Sequence, residues 1–263
     1  MLFFGYDKGY AKESAMNDIL AKHYAHRGFH DKPSIPENSM AAFLRAVSHG
    51  FPVEFDVHLI SDGGLVVFHD EDLERECGVK GVIEDETMAG LEKYRLEGTD
   101  EKIPSFDEVL DLFEDTKLPL LIELKASGGN HAALADKVCE RLKSYTGKYV
   151  IESFDPRVLL AVRKKAPGTA VGQLAQNFYR RREGLPLYQA VILTNMMFNP
   201  LSRPEFIAYR YEDINDIAVR SAIKRGKRTA VWTINNITDY RKATKAGMVP
   251  IFEQFDPGEG DMP

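Results

Sequence analysis

From Val53 to Leu59 apolar and ionisable positions alternate strictly. Val53, Phe55, Val57 and Leu59 share one face of an extended strand, and Glu54, Asp56 and His58 share the other. Asp62-Gly63-Gly64 then reads as a hairpin turn into an extended run over residues 65–68, which sets His69 above the same end of the strand. Upstream, a short strand is expected over residues 24–27, closed by Gly28. A helix follows over 40–48, where Ala42, Phe43, Ala46 and Val47 recur at helical spacing and Asn38 offers an N-cap. A further short helix over residues 12–20 would belong to a lead-in segment.

Periodicity is poor from residue 73 to 104, and polar positions dominate there, which suggests a small subdomain inserted after the second strand. Regular alternation then returns. Strands are expected over 120–124, 149–153, 170–173, 206–210, 229–234 and 249–252. Helices are expected over 105–113, 131–145, 156–166, 186–197, 215–224 and 238–246, with Ser105 capping the first and Pro156 opening the third. About eight strands separated by helices imply an α/β fold with parallel pairing and closure into a TIM (β/α)8 barrel. A doubly wound open sheet is the rival, but no GxGxxG or GxxxxGK[ST] turn is present. The chain is therefore read as one barrel domain over residues 1–263.

Composition changes this picture little. The 263 residues are 44% hydrophobic and 28% charged, ordinary for a water-soluble globular chain. A net charge of -6 argues against a nucleic-acid surface. The basic runs Arg180-Arg181-Arg182 and Lys224–Arg228 read as solvated helix ends. Cys77 and Cys139 carry no disulfide or metal spacing and suit a reducing compartment. No window approaches a signal-peptide core or a membrane span, so a cytoplasmic location without stable membrane insertion is expected.

Charge inside apolar strands is the informative feature. In the barrel reading His26 and Arg27 end the first strand, and Glu54 and Asp56 lie toward the end of the second. His69 follows the hairpin, and Glu123 and Lys125 close the run Leu120-Leu121-Ile122-Glu123-Leu124-Lys125. Barrel sites lie at the carboxyl ends of strands, so these side chains converge on one mouth. Buried carboxylates are costly without a cation between them. Glu54, Asp56 and Glu123 suit a hard divalent ion, Mg²⁺ or Ca²⁺. His26 and His69 suit general acid and base work, and Arg27 and Lys125 suit a phosphate. Taken alone, Glu123 with Lys125 also reads as a structural pair. His58 reads as a core histidine beneath the site, and His23, His30, His49 and His131 are given no role. Trp232 either lines the pocket or packs.

The motifs that carry these residues are His26-Arg27-Gly28, Pro36-Glu37-Asn38-Ser39 with Ala42-Phe43, Glu54-Phe55-Asp56-Val57, Asp62-Gly63 and His69-Asp70. They continue with Ile103-Pro104-Ser105-Phe106 and Ile122-Glu123-Leu124-Lys125, and more loosely with Ser153-Phe154-Asp155-Pro156 and Trp232-Thr233-Ile234-Asn235. In that order they resemble the glycerophosphodiester phosphodiesterase family. The resemblance implies a TIM barrel with an inserted subdomain, a dication on Glu54, Asp56 and Glu123, and His26 and His69 as the acid/base pair. It implies phosphate contacts from Arg27 and Lys125, Glu37 as a supporting group, and Asn38 as the cap of the following helix. Phe252-Glu253-Gln254-Phe255-Asp256-Pro257 departs from the Thr-Asp-x-Pro-like end of the family's eighth strand.

The expected reaction is metal-dependent hydrolysis of a small glycerophosphodiester to sn-glycerol 3-phosphate and an alcohol. The alternatives are a lysophospholipid or sphingolipid headgroup phosphodiesterase on the same barrel and a non-catalytic phosphate-binding barrel. A lipid substrate would need apolar surface, for which Met196-Met197-Phe198 and Phe3-Phe4 are candidates, both read as core. A homodimer is left open.

Overall fold

The computed structural model describes residues 16, 18–182 and 184–258. Nine strands form one sheet: β1 (Tyr24–Ala25), β2 (Val53–Leu59), β3 (Leu65–Val67), β4 (Leu120–Leu124), β5 (Tyr149–Ser153), β6 (Val171–Ala175), β7 (Phe206–Arg210), β8 (Arg228–Ile234) and β9 (Val249–Phe252). All neighbours are parallel except β3, which folds back antiparallel on β2. Pairing of β1 with both β9 and β2 closes the eight parallel strands into a barrel, and β3 stands outside the ring.

Alternation along each strand divides the apolar residues into two bodies. Phe55, Val57, Ile122 and Ile151 point outward against the helix layer, in a cluster with Phe43, Phe106, Phe113, Leu134 and Leu159. Tyr24, Leu121, Val150, Leu174, Phe206, Ala230 and Ile251 fill the barrel interior. Helix starts follow their caps. Ser105 and Glu108 make a reciprocal capping box at Phe106–Glu114, and Asp155 caps Pro156–Lys165 with Pro at its first turn.

Cross-strand register sets Asp56 beside Glu123 and Glu123 beside Glu152, one carboxylate row across β2, β4 and β5. Next along that row on β6 is Gly172, where a Cβ would stand 2.2 Å from the Phe206 ring. Only a residue without a side chain fits there.

Residues 73–104 carry short helical turns at Glu74–Cys77, Ile83–Asp85, Met88–Leu91 and Leu96–Gly98. Leu73, Ile83, Leu91 and Leu96 bury against Ile60, Val66 and Phe68 in a separate apolar cluster. This excursion is anchored beside the β2–β3 hairpin.

Several local expectations are corrected. The first strand ends at Ala25, because Arg27 and Gly28 both turn into the left-handed region, with φ of 52° and 80°. Ser39, not Asn38, caps Met40–His49: its extended backbone lets the hydroxyl accept from the Ala42 amide at 3.1 Å. Asn38, at φ 51°, is turned the other way. The helix after β6 is shorter than expected, Leu187–Thr194. Met196 is buried, but Met197 and Phe198 are 58% and 39% exposed and do not belong to the core. Arg180 and Arg181 lie at a turn rather than at a helix end; Arg180 is exposed, and both pair with the buried Asp213, at 3.1 and 2.9 Å. Apart from 16 and 18–20, the lead-in helix lies outside the described residues, as does Phe3-Phe4. Cys77 and Cys139 are free. No helix among the described residues is long and apolar enough to cross a membrane.

Candidate active site

The carboxyl ends of β1 and β4 build the site together with β2, where Glu54 and Asp56 stand near the start and at the middle of the strand and not toward its end as expected. The amide of His26 donates to Phe252 O at 2.8 Å, tying the end of β1 to β9. The chain then turns back at Arg27-Gly28, and the Arg27 amide donates to Glu54 Oε2 at 3.1 Å. Gly28 is needed there: its φ is positive, and a Cβ would come within 2.9 Å of Ala42 Cβ.

Glu54, Asp56 and Glu123 each present a carboxylate oxygen, all within 4.8 Å of one another, and all three are buried. Lys125 reaches into this group, with Nζ 3.1 Å from Asp56 Oδ1 and 2.9 Å from Glu123 Oε1. Arg27 Nε lies 3.6 Å from Asp56 Oδ2. Lys125 is therefore both the structural partner of Glu123 and a cation at the edge of the cluster.

These cations do not satisfy the acids. Burial, then the charges of Asp56, Glu123 and Glu152, push Glu54 well above the carboxylate range. Burial raises Glu123 to about 7, reinforced by Asp56 and resisted by Lys125. Burial also acts to raise Asp56, but Lys125, His69 and Arg27 outweigh it and hold that carboxyl well down. The cluster has the hard-oxygen donors and the excess negative charge that suit a divalent cation.

The two histidines line the same cavity of about 330 Å³, together with Arg27, Lys125, Arg210 and Trp232. Each ring is held from behind by a carboxylate. His26 Nδ1 lies 2.6 Å from Glu253 Oε2 and His69 Nδ1 lies 2.5 Å from Asp70 Oδ1. An ionised carboxylate only accepts, so both Nδ1 atoms carry the hydrogen and both Nε2 atoms are left as acceptors. Burial, then Lys125, lowers His69 to about 4, against the opposing pull of Asp56 and Asp70. Burial and Arg27 also lower His26, against Glu253.

An ionic network locks this frame. Glu37 accepts from Arg27 at 2.6 Å and Arg75 at 2.8 Å, and pairs with Lys32 at 2.5 Å. Arg75, from the inserted segment, also donates through Nε to Asp70 at 2.5 Å. One side chain thus links Asp70, behind His69, to Glu37, behind Arg27. His58 sits below, its Nδ1 2.6 Å from Glu84 Oε1.

All nine residues singled out from the sequence, His26, Arg27, Glu37, Glu54, Asp56, His69, Glu123, Lys125 and Trp232, stand at or directly behind this mouth. Trp232 lines the cavity and meets Phe154 edge-on at 5.6 Å. Four residues given no place in the site belong here. Asn38 Nδ2 donates to Asp56 Oδ2 at 2.9 Å. Glu253, in the stretch that departs from the family pattern, orients His26. The buried His30 stands beside that carboxylate, its Nε2 3.6 Å from Glu253 Oε2, with no hydrogen bond to either ring nitrogen among the described residues. Glu152 lines the cavity, and its signal in the sequence was the same buried carboxylate within an apolar strand that marked Glu123.

The sequence profile of the glycerophosphoryl diester phosphodiesterase family matches residues 26–255. A glycerophosphodiester phosphodiesterase of Caldanaerobacter subterraneus subsp. tengcongensis is 30% identical over 235 residues, which is 85% of this chain and 90% of that protein. Among solved structures, a glycerophosphodiester phosphodiesterase from Thermotoga maritima superposes with a TM-score of 0.66 at 29% identity, covering 89% and 94% of the two chains. An Oleispira antarctica phosphodiesterase, solved with its product sn-glycerol-3-phosphate, superposes with a TM-score of 0.75 at 23% identity, covering 91% and 94%.

Proposed function

We propose, from the premise that this chain belongs to the glycerophosphoryl diester phosphodiesterase family, that it hydrolyses small glycerophosphodiesters to sn-glycerol 3-phosphate and an alcohol, using a divalent cation and two histidines. The observation that carries this reading is the meeting of three carboxylates within 4.8 Å beside two carboxylate-backed imidazoles in one cavity. We also read the chain as a single barrel domain in which residues 73–104 are an insertion that braces the mouth through Arg75.

Glu54, Asp56 and Glu123 would hold the cation, Mg²⁺ or Ca²⁺, which when bound supplies Lewis-acid polarisation of the phosphoryl oxygens. Arg27 and Lys125 bind and orient the phosphodiester anion, Arg27 through a guanidinium already fixed by Glu37. The attacking oxygen is water, or the adjacent glycerol hydroxyl, in which case a cyclic phosphate forms as the alcohol leaves and water then opens it to sn-glycerol 3-phosphate. In either route one imidazole Nε2 takes its proton, and the other ring gives a proton to the departing alkoxide as the P–O bond breaks. Both rings are neutral near pH 7 in the substrate-free chain, and an anionic phosphodiester beside them favours their protonated forms.

Two variants separate these roles. His69→Ala should lose turnover of glycerophosphocholine while retaining Mg²⁺ binding by calorimetry, whereas Glu54→Ala should lose both. Wild-type turnover in either variant would refute the assignment.

A further inference from the structure

We propose that Glu152 recognises a hydroxyl of the substrate's glycerol arm, so that this side chain sets the preference for a glycerol phosphodiester over one that lacks the hydroxyl. The inference rests on the hydrolytic reading above and deepens it by assigning the organic half of the pocket.

Each of the other inward carboxylates has a partner within the protein. Glu54 accepts the Arg27 amide, Asp56 is held by Lys125 and Asn38, and Glu123 by Lys125. Glu152 is as deeply buried, 1% exposed, yet its Oε2 has no hydrogen-bond partner among the described residues, and no cation there stands within ion-pair distance of it. A buried carboxyl left in that state is costly unless something else comes to it.

The fold explains why no neighbour does. On β4 the adjacent residue is Glu123, itself an acid, and on β6 it is Gly172, which must lack a side chain because the Phe206 ring fills that space. Glu152 is also outside the set of carboxylates that lie within 4.8 Å of one another, so it is not placed as a further donor to the same cation.

It lines the same cavity as Leu174, Ile251 and Trp232. A three-carbon arm entering there meets apolar walls and one unmatched carboxyl. A hydroxyl is the donor that fits. A cationic arm is disfavoured, because Arg27, Lys125 and Arg210 line the same space. A site built around a substrate hydroxyl rejects the analogue without it, because the buried group is then left unpaired.

The test compares glycerophosphocholine with propyl phosphocholine, in Mg²⁺, for wild type, Glu152→Leu and Glu152→Gln, reading the ratio of the two kcat/KM values. Binding of sn-glycerol 3-phosphate and propyl phosphate is measured calorimetrically in parallel. We expect Glu152→Leu to lower the wild-type preference for the glycerol compound about 10- to 100-fold. Glu152→Gln, which keeps an acceptor oxygen, should restore most of it. A preference unchanged in Glu152→Leu, or a parallel loss on both substrates at constant ratio, would overturn the proposal. If the wild-type chain cleaved neither diester, the hydrolytic reading would fall; in that case, or if it cleaved only the glycerol compound as attack by the glycerol hydroxyl requires, the ratio of the two monophosphate affinities decides the role of Glu152.

Discussion

Replacing Glu253 by glutamine removes one charge while keeping the shape of the side chain that stands behind His26. The contact is short, 2.6 Å between Glu253 Oε2 and His26 Nδ1, and largely enclosed, with side chains 20% and 12% exposed, so solvent screens it only in part. A hydrogen bond to a charged partner is worth about 1.5–3 kcal/mol, and its loss corresponds to roughly 10- to 100-fold in a rate that depends on the protonated ring. Glu253 raises the His26 pKa against burial and Arg27, so its removal should shift that pKa further down. We expect kcat/KM for glycerophosphocholine in Mg²⁺ to fall by about that factor. The limb of the pH–rate profile that belongs to His26 should move to lower pH. Stability adds a second sign. Burial acts to raise the Glu253 carboxyl, but His26 and His30 together outweigh it and hold it well below its ordinary range. Its contribution is therefore present above the unfolded value near ~4.3 and lost as pH falls through the folded value, and Glu253→Gln should lack that acid-side loss. A variant within twofold of wild type and with an unmoved profile would refute the claim that Glu253 orients and polarises His26.

Further predictions concern the carboxylate cluster and the barrel wall. In chelator, Glu123, raised to about 7, contributes stability that is present below its unfolded pKa of ~4.3 and lost as pH rises through about 7. Glu123→Gln should remove that slope in urea titrations across this window, and an identical slope in the variant would contradict the ionisation assigned to it. Lys125→Met leaves Asp56 and Glu123 buried without their shared cation and should destabilise the metal-free chain by about 3–5 kcal/mol. Its melting temperature should rise more on adding Mg²⁺ than that of wild type, and an equal rise would count against the cluster as a cation site. Asn38→Gly keeps the left-handed backbone but deletes the bond to Asp56, so Mg²⁺ affinity by calorimetry should drop about 10-fold. An unchanged affinity would show that Asn38 does not orient Asp56. Gly172→Ala forces a methyl into the Phe206 ring and should cost about 3 kcal/mol or prevent folding, whereas a wild-type urea midpoint would show that the barrel interior can yield there.

The parts of this molecule that could be read from its sequence are those fixed by local pattern. Strands such as Leu120–Leu124, Tyr149–Ser153 and Phe206–Arg210 are predominantly apolar runs of the right length, with breakers on both sides. The acids Glu54, Asp56 and Glu123 stood out because a charge inside such a run needs a reason. Details that depend on a single backbone dihedral could not be read. Asn38 and Ser39 are both good capping residues by type, and only the positive φ of Asn38 sends its amide to Asp56 and leaves the cap to Ser39. Partnerships across the closed ring were equally hidden. Glu253 and His30 are far from His26 along the chain or set apart by a turn, and they meet only because β9 pairs with β1. Met197 and Phe198 misled because apolar type alone does not distinguish the interior from an exposed rim.

The central claim is that the cation-binding acids and the paired imidazoles act on one phosphodiester bond and release the alcohol. It is tested most directly by following glycerophosphocholine by phosphorus NMR with the chain in Mg²⁺ or Ca²⁺, with and without chelator. The account predicts an sn-glycerol 3-phosphate resonance that grows with time, is suppressed by chelator and is absent with Glu54→Ala. Appearance of phosphocholine instead, or turnover that chelator leaves untouched, would contradict it.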